Sequence, residues 1–355
     1  MSVIPPIWLK SVAQRVESRL SEFLQHEQDR WSALDSDLGA PIGELTRLVN
    51  AGGKRLRPAF CHLGFIGAGG DETSIELLNA QAALELLHAS ALLHDDIIDG
   101  STTRRGEPTA HTRYLAKHTD YKWAGEGRRF GEGAAILIGD LAFVYADQLM
   151  TGVNAPTIKI WNEMRIELNI GQYLDLLGSA QRERNLTKAE RVSRYKSGKY
   201  TIERPLHLGA TMAAPDRADV LLEELSAFGL PLGDAFQMRD DVLGVFGDEV
   251  TNNTGKPIGD DIREGKPTPL LAMAYERAST SQRQVLEDVG APQISNEDIG
   301  KIQEVIIETG ALSELETKIT GLVSESIAAI TNSSLSKQSV KQLVELAEFV
   351  AQRRN

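Results

Sequence analysis

The residues best able to do chemistry lie in LLHDDIIDGSTTRRG, residues 92–106. Asp95 and Asp99 are four apart, so a helix would put both carboxylates on one face, where like charges repel. They also close an apolar run over 75–99, at a helix C-terminus that disfavours anions. A chain that accepts both penalties points to a cation there. Carboxylate oxygens suit Mg2+ or Mn2+, with water and phosphate oxygens completing the shell. His88, Ala91 and Leu84 continue the same stripe upstream. FGLPLGDAFQMRDDVLGVFGD, residues 228–248, repeats the arrangement: Asp240 and Asp241 end a second apolar helix, with Gln237 one turn earlier. One DDxxD alone reads equally well as a solvated helix end. Two carboxylate-tipped helices facing each other would hold several divalent ions and grip a diphosphate between them.

The cations fall into sets of their own. GGKRLRP (52–58) offers Lys54, Arg55 and Arg57, and Arg104 and Arg105 follow the first acidic cluster. YKSGKYTIERP (195–205) supplies Lys196, Ser197 and Lys199, while TGKPIGDD and EGKPT supply Lys256 and Lys266. Each set alone is ordinarily a surface charge. Together with two carboxylate clusters they point to two anionic ligands, one bound through metal and one directly by guanidinium and ammonium groups.

Helices must position these groups. Apolar residues recur at 3–4 spacing over about 9–28, 55–67, 75–99, 133–151, 155–178, 186–212, 217–243, 267–278, 298–308, 312–331 and 336–353, and alternating strand patterns are scarce. The chain reads as all-α. Residues 100–132 and 244–268 are rich in glycine and charge and read as two working loops rather than linkers, which leaves a single domain over 1–355. The net charge of -12 argues against a nucleic-acid groove. One cysteine, Cys61, excludes an intrachain disulfide and suits a reducing compartment. No apolar run reaches a membrane span and the N-terminus lacks a signal-peptide core, so no integral membrane segment and a cytoplasmic location are expected.

In their order, GGKRLRP, LLHDDIIDGSTTRRG, YKSGKYTIERP, FQMRDD and TGKPIGDDIREGK resemble the trans-isoprenyl diphosphate synthases, or polyprenyl synthetases, from about residue 40 to the C-terminus. The resemblance implies a bundle of long helices around a deep central cavity, the isoprenoid synthase fold, usually in a homodimer. It implies head-to-tail condensation of isopentenyl diphosphate with an allylic diphosphate (dimethylallyl, geranyl or farnesyl) through an allylic carbocation. Magnesium, three ions per site with manganese as a substitute, would be held by Asp95, Asp99, Asp240 and Asp241. Arg104, Lys196 and Lys256 would assist ionisation. Lys54, Arg57, His88 and Arg105 would hold isopentenyl diphosphate, and Lys266 joins this substrate-binding set. Ser197 and Gln237 would direct their dipoles at the cation.

Three features depart from the family pattern. Gly244 stands where a third aspartate is usual, with a water ligand or Asp248 expected to compensate. Ser197 replaces the more frequent threonine. Residues 113–130 lengthen the usual connection, either as a cap over the site or as a disordered surface loop. Product length is read from the 84–99 helix. Ser90 and Ala91, five and four positions before Asp95, are small. The next obstacles, Leu87 and Leu84, lie roughly 6 and 10 Å lower at 1.5 Å per residue. Phe143 or Tyr145 would close the floor. The C20 product, geranylgeranyl diphosphate, is expected, with longer chains and then farnesyl diphosphate as alternatives. Of other classes, a terpene cyclase would lack the second acidic cluster and the lysine loops. A non-catalytic synthase subunit would have lost aspartates or arginines.

Overall fold

The computed structural model describes residues 5–104, 106–247 and 258–352. Arg105, Asp248 and Lys256 lie outside these residues. The described chain is helical apart from one short antiparallel hairpin, Thr103–Arg104 (β1) with Glu107–Pro108 (β2). The all-α expectation holds. The chain divides into two compact units: Ile7–His62 with Asp71–Asn154, and Met1–Pro6 with Leu63–Gly70 and Ala155–Asn355.

The first unit holds α1 (Ile7–Ser32), α2 (Ala40–Asn50), the first half of α3 (Leu56–Gly67), α4 (Ile75–Ile98), α5 (Ala110–Asp120) and α6 (Gly127–Leu149). In α1 the buried residues Val12, Val16, Leu20, Phe23 and Leu24 recur at steps of three and four. Each such buried side chain stabilises the fold by roughly 1.5–3 kcal/mol. Ser74 starts α4 by accepting a hydrogen bond from the Leu77 N–H. The helix then packs along α6 at a close approach: a Cβ on Gly139 would lie 2.3 Å from His94 Nε2.

Two helices of this unit were not expected. Glu44 and Arg47 surround the apolar Ile42, Leu45 and Val49 of α2, whose spacing is helical. Helix α5 lies inside the stretch read as a loop. An aromatic cluster closes the α5–α6 tip: Phe130 meets Trp123 edge-on at 5.1 Å, His118 at 5.5 Å and Tyr114 at 6.1 Å between ring centroids. Residues 113–130 are therefore a folded helical hairpin, not a disordered loop.

The second unit holds α7 (Ala155–Ala180), α8 (Leu186–Ser193), a π-helix (Arg194–Glu203), α9 (Arg204–Ala213), α10 (Ala218–Phe246), α11 (Asp260–Glu264), α12 (Pro269–Arg277), α13 (Thr280–Leu286), α14 (Asn296–Glu308), α15 (Ala311–Thr331) and α16 (Lys337–Gln352). Helix α10 is its axis, packed on the π-helix, α9, α12, α15 and α16. A bidentate ion pair from Arg239 to Glu316, at 2.5 and 2.6 Å, ties α10 to α15. The expected single helix over 186–212 is interrupted by the π-helix, and α10 runs on to Phe246, past the aspartates expected to end it.

Candidate active site

The first acidic cluster is built by the end of α4. After Asp99 the chain turns through Gly100 at φ 65°, the Ser101 N–H bonds the Asp96 carbonyl at 2.9 Å, and the Gly100 N–H bonds the Ile97 carbonyl at 3.2 Å. This is a Schellman ending, and it sends the chain back along the helix it has just left. The β1–β2 hairpin follows, and its Arg104 returns to the cluster. Arg104 Nε donates to Asp96 Oδ1 at 2.8 Å, and Nη2 lies 2.6 Å from Asp96 and 3.5 Å from Asp95. Burial works against the Arg104 charge, but the hydrogen bond to Asp96 and the charges of Asp96, Asp95 and Asp99 outweigh it and raise its pKa. The stripe His88, Ala91, Leu92, Asp95 and Asp99 is partly accessible, whereas Leu87, Ser90, Leu93 and Asp96 are buried. Ala91 thus lies directly below Asp95 on the accessible face. Ser90 and Leu87 lie off it, and Tyr145 is buried edge-on against Phe23, 5.3 Å away.

The GGKRLRP loop belongs to the same unit. Its three cations differ in environment: Lys54 is exposed, Arg57 half-buried and Arg55 buried. Arg55 has φ 50° and turns inward to donate to Glu85 of α4 at 2.5 Å, to the Val49 carbonyl at 2.7 Å and to Glu17 of α1 at 3.2 Å. Arg55 is the anchor of this loop. It docks the loop on α4 one turn before His88.

In the second unit, Lys196, Ser197 and Lys199 lie on the π-helix, a geometry often found at functional sites. Glycines let neighbouring backbones approach it. A Cβ on Gly171 of α7 would fall 2.4 Å from Lys196 N, and one on Gly233 of α10 would fall 2.8 Å from the Gly198 carbonyl carbon. Ion pairs fix its side chains. Lys196 Nζ donates to Asp175 at 2.5 Å, Lys199 pairs with Glu167, and Arg194 pairs with Asp234.

The second acidic cluster lies within α10. Gln237 Nε2 donates to Asp241 Oδ1 at 2.9 Å, while Asp241 Oδ2 is buried without a hydrogen-bond partner among the described residues. Burial first, then the charges of Asp261 and Asp240, push the Asp241 carboxyl well above the usual carboxylate range, against the Gln237 bond and Lys266. Lys266 Nζ lies 2.6 Å from Glu264 and 3.7 Å from Asp261. At Gly244, the departure in this motif, the Asp261 carboxylate lies close by: a Cβ there would lie 2.1 Å from Asp261 Oδ2, the end of a side chain that can rotate away.

Each unit brings its own residues together: Asp95 and Asp99 with Arg104 in one, and Gln237, Asp240 and Asp241 with Lys266 in the other. Sequence reasoning missed Asp96, Arg55, Asp175 and Asp261 as working partners. Asp96 had a signal, being the acid that a helix turns away from the Asp95–Asp99 face. Arg55 had one too, as the middle cation of three that cannot all point the same way.

The donors are oxygens throughout, which fits a hard divalent cation, and the orphaned Asp241 oxygen is the kind of atom such an ion satisfies. Among the described residues no three His, Cys, Asp or Glu side chains close into a preformed cage. That suits an ion held by one or two carboxylates and completed by water and phosphate.

The polyprenyl synthetase profile matches residues 43–308. Geranylfarnesyl diphosphate synthase of Aeropyrum pernix is 32% identical over 78% of this chain and 82% of its own. Geranylgeranyl diphosphate synthase of Saccharolobus solfataricus is 32% identical over 86% and 88%. The crystal structure of geranylgeranyl pyrophosphate synthase from Corynebacterium glutamicum, complexed with isoprenyl diphosphate and magnesium, superposes with a TM-score of 0.90 at 38% identity, covering 97% of this chain and 99% of that one. Among the described residues no helix is long and apolar enough to cross a membrane. The order of the acidic and basic motifs, the helical fold and these relatives together make the chain a member of the polyprenyl synthetase family, a prenyltransferase of isoprenoid biosynthesis.

Proposed function

We propose that this prenyltransferase is a geranylgeranyl diphosphate synthase, adding isopentenyl diphosphate head-to-tail to dimethylallyl, geranyl or farnesyl diphosphate until twenty carbons are reached. The observation that carries the chain length is the place of Ala91: one turn below Asp95 on the accessible stripe of α4, where a methyl side chain leaves room. Ser90 and Leu87 would act from behind, by setting how closely α4 packs. The test is Ala91→Phe, with products sized by chromatography from purified protein, Mg2+, radiolabelled isopentenyl diphosphate and each primer. A shift toward fifteen carbons is expected. An unchanged product spectrum overturns the assignment, and failure to incorporate label would return the protein to the cyclase class.

Magnesium, in up to three ions and replaceable by manganese, would be held by Asp95, Asp99, Asp240 and Asp241, and there it supplies charge neutralisation of the diphosphate leaving group. Arg104, Lys196 and Lys256 add positive charge where the leaving oxygen turns anionic as the allylic C–O bond breaks. Ser197 and Gln237 present hydroxyl and amide dipoles to the cation. Lys54, Arg57, His88, Arg105 and Lys266 hold isopentenyl diphosphate, and the released diphosphate takes the final proton. Support for one working domain over 1–355 comes from the family profile, whose matched span enters both units. Support for a homodimer comes from exposed apolar rows, Ile136, Leu137 and Val144 on α6 and Ile166, Ile170 and Tyr173 on α7. The single cysteine supports a cytoplasmic location.

A further inference from the structure

Arg104 stands on a slight support. Its strand, β1, meets β2 in only two residue pairs, Thr103 with Pro108 and Arg104 with Glu107. Thr103, Glu107 and Pro108 are all exposed, so burial does not brace the hairpin. A two-stranded hairpin of this kind is marginal by itself. One buried residue closes it. Thr109, 2% exposed, follows β2 and stands before the first turn of α5. Its N–H bonds the Thr102 carbonyl at 3.0 Å, and its hydroxyl donates to the Ser101 carbonyl at 2.9 Å. Both bonds cross the base of the hairpin, onto the two residues that join it to the end of α4. With its one hydrogen given to Ser101, the hydroxyl turns its lone pairs to Thr112 Oγ1 at 2.9 Å and His111 Nδ1 at 3.2 Å, either of which can carry the hydrogen this requires.

A threonine in this place is ordinarily a helix cap, its oxygen accepting from the N–H of the second or third helical residue. Thr109 makes no such bond. Its hydroxyl is spent on the hairpin behind it, not on the helix ahead. A second hold on the hairpin is longer: Arg47 of α2, paired with Glu44 at 2.6 Å, reaches the Pro108 carbonyl at 3.5 Å. We propose that Thr109 is the positioning residue of Arg104. Its hydroxyl pins the base of the β1–β2 hairpin to the end of α4 and so fixes the backbone from which the guanidinium reaches Asp96 and Asp95. This role presupposes that Arg104 assists ionisation as set out above.

The test is a double-mutant cycle. The kcat is measured with Mg2+ and saturating isopentenyl diphosphate and allylic primer for the full chain, Thr109→Val, Thr109→Ser, Arg104→Ala and Thr109→Val/Arg104→Ala, with circular dichroism to check that each is folded. Thr109→Val keeps the shape and loses the hydroxyl, and it should lower kcat about tenfold to a hundredfold, as a displaced charged group does. Thr109→Ser keeps the bond to Ser101 and should stay within about threefold of the parent. In the Arg104→Ala background, Thr109→Val should change kcat by less than about twofold, because the group it positions is gone. A residue that only supported the fold would lower both backgrounds alike. Equal losses in the two backgrounds therefore overturn the proposal, as does a parent-like kcat in folded Thr109→Val or a Thr109→Ser no better than Thr109→Val. Should Thr109→Val not fold, the cycle is read on Thr109→Ala. If neither folds, the hydroxyl serves the fold and the proposal fails. If Arg104→Ala keeps the parent kcat, the role of Arg104 fails and that of Thr109 with it. If Arg104→Ala is impaired and Thr109→Val is not, only the role of Thr109 fails.

Discussion

The two acidic clusters solve the same electrostatic problem with different materials. In α4 the repulsion among Asp95, Asp96 and Asp99 is offset by Arg104, eight residues beyond Asp96 and returned by a helix-ending turn and a tight hairpin. In α10 the aspartates lie before the end of the helix. Asp241 is buried against an amide, and the neighbouring charges, Asp261 and Lys266, come from twenty and more residues further on. The first cluster carries its counter-charge with it. The second gathers more negative charge than its own helix holds. A cluster of the first kind is balanced without an ion, whereas one of the second kind would gain stability from a bound cation.

Four measurements would break or sharpen that contrast, from the largest effect to the smallest. Asp95→Asn and Asp240→Asn should each lower kcat/KM about a thousandfold, if both clusters serve the same diphosphate. Steady-state kinetics showing one of them harmless would leave a single working cluster. Asp96→Ala, which strips the buried partner from Arg104, should cost about 3 kcal/mol of stability by urea unfolding. Asp241→Asn should cost nothing or stabilise the ion-free protein, because burial already disfavours that charge. Equal losses in the two would erase the difference drawn here. Gly171→Ala should push the π-helix away from α7 and lower kcat up to about a hundredfold while KM for isopentenyl diphosphate stays within a factor of a few. The smallest effect concerns pH. Burial holds the His207 imidazole down at about 3, helped by Arg204, and burial with Arg15 holds His62 at about 4. Both bind their proton more readily when unfolded, so their contribution is intact above about 6.5 and drains away as the pH falls below it. At pH 5 each should have lost about 1–2 kcal/mol, seen as a falling Tm that His207→Gln makes shallower. A Tm unchanged between pH 7 and 5 would contradict both burials.

The parts of this protein that could be read from its sequence are those whose cause is local. Helices α4 and α10 show themselves because their apolar residues repeat at the helical period, and Asp95, Asp99 and Arg104 because they share one short segment. Helix α2 was equally readable from Ile42, Leu45 and Val49, yet the glycine and proline beside them obscure it. Helix α5 was less so: only Tyr114 and His118, four apart, share a face of it, and the folded hairpin is what brings the Trp123 and Phe130 rings to them. The π-helix has no periodic signature that separates it from an α-helix. Asp261 was hidden for the same reason as α5, since its place over Gly244 depends on a backbone hydrogen bond between segments fifteen residues apart. Gly244 itself was visible as an oddity, and the oddity marked where the distant residue lands.

The π-helix carries one more consequence, for the kinds of sequence change this enzyme tolerates. Its last bond runs from the Arg204 N–H to the Lys199 carbonyl, five residues back instead of four. Removing any one residue between 194 and 203 would let ordinary winding resume and swing the upstream part of the segment by about 100°. Lys196 would then leave Asp175, and the glycine contacts to α7 and α10 would fall out of step. Length is therefore under tighter constraint here than composition: the segment can absorb a swapped side chain, such as serine at 197, far more easily than a lost codon.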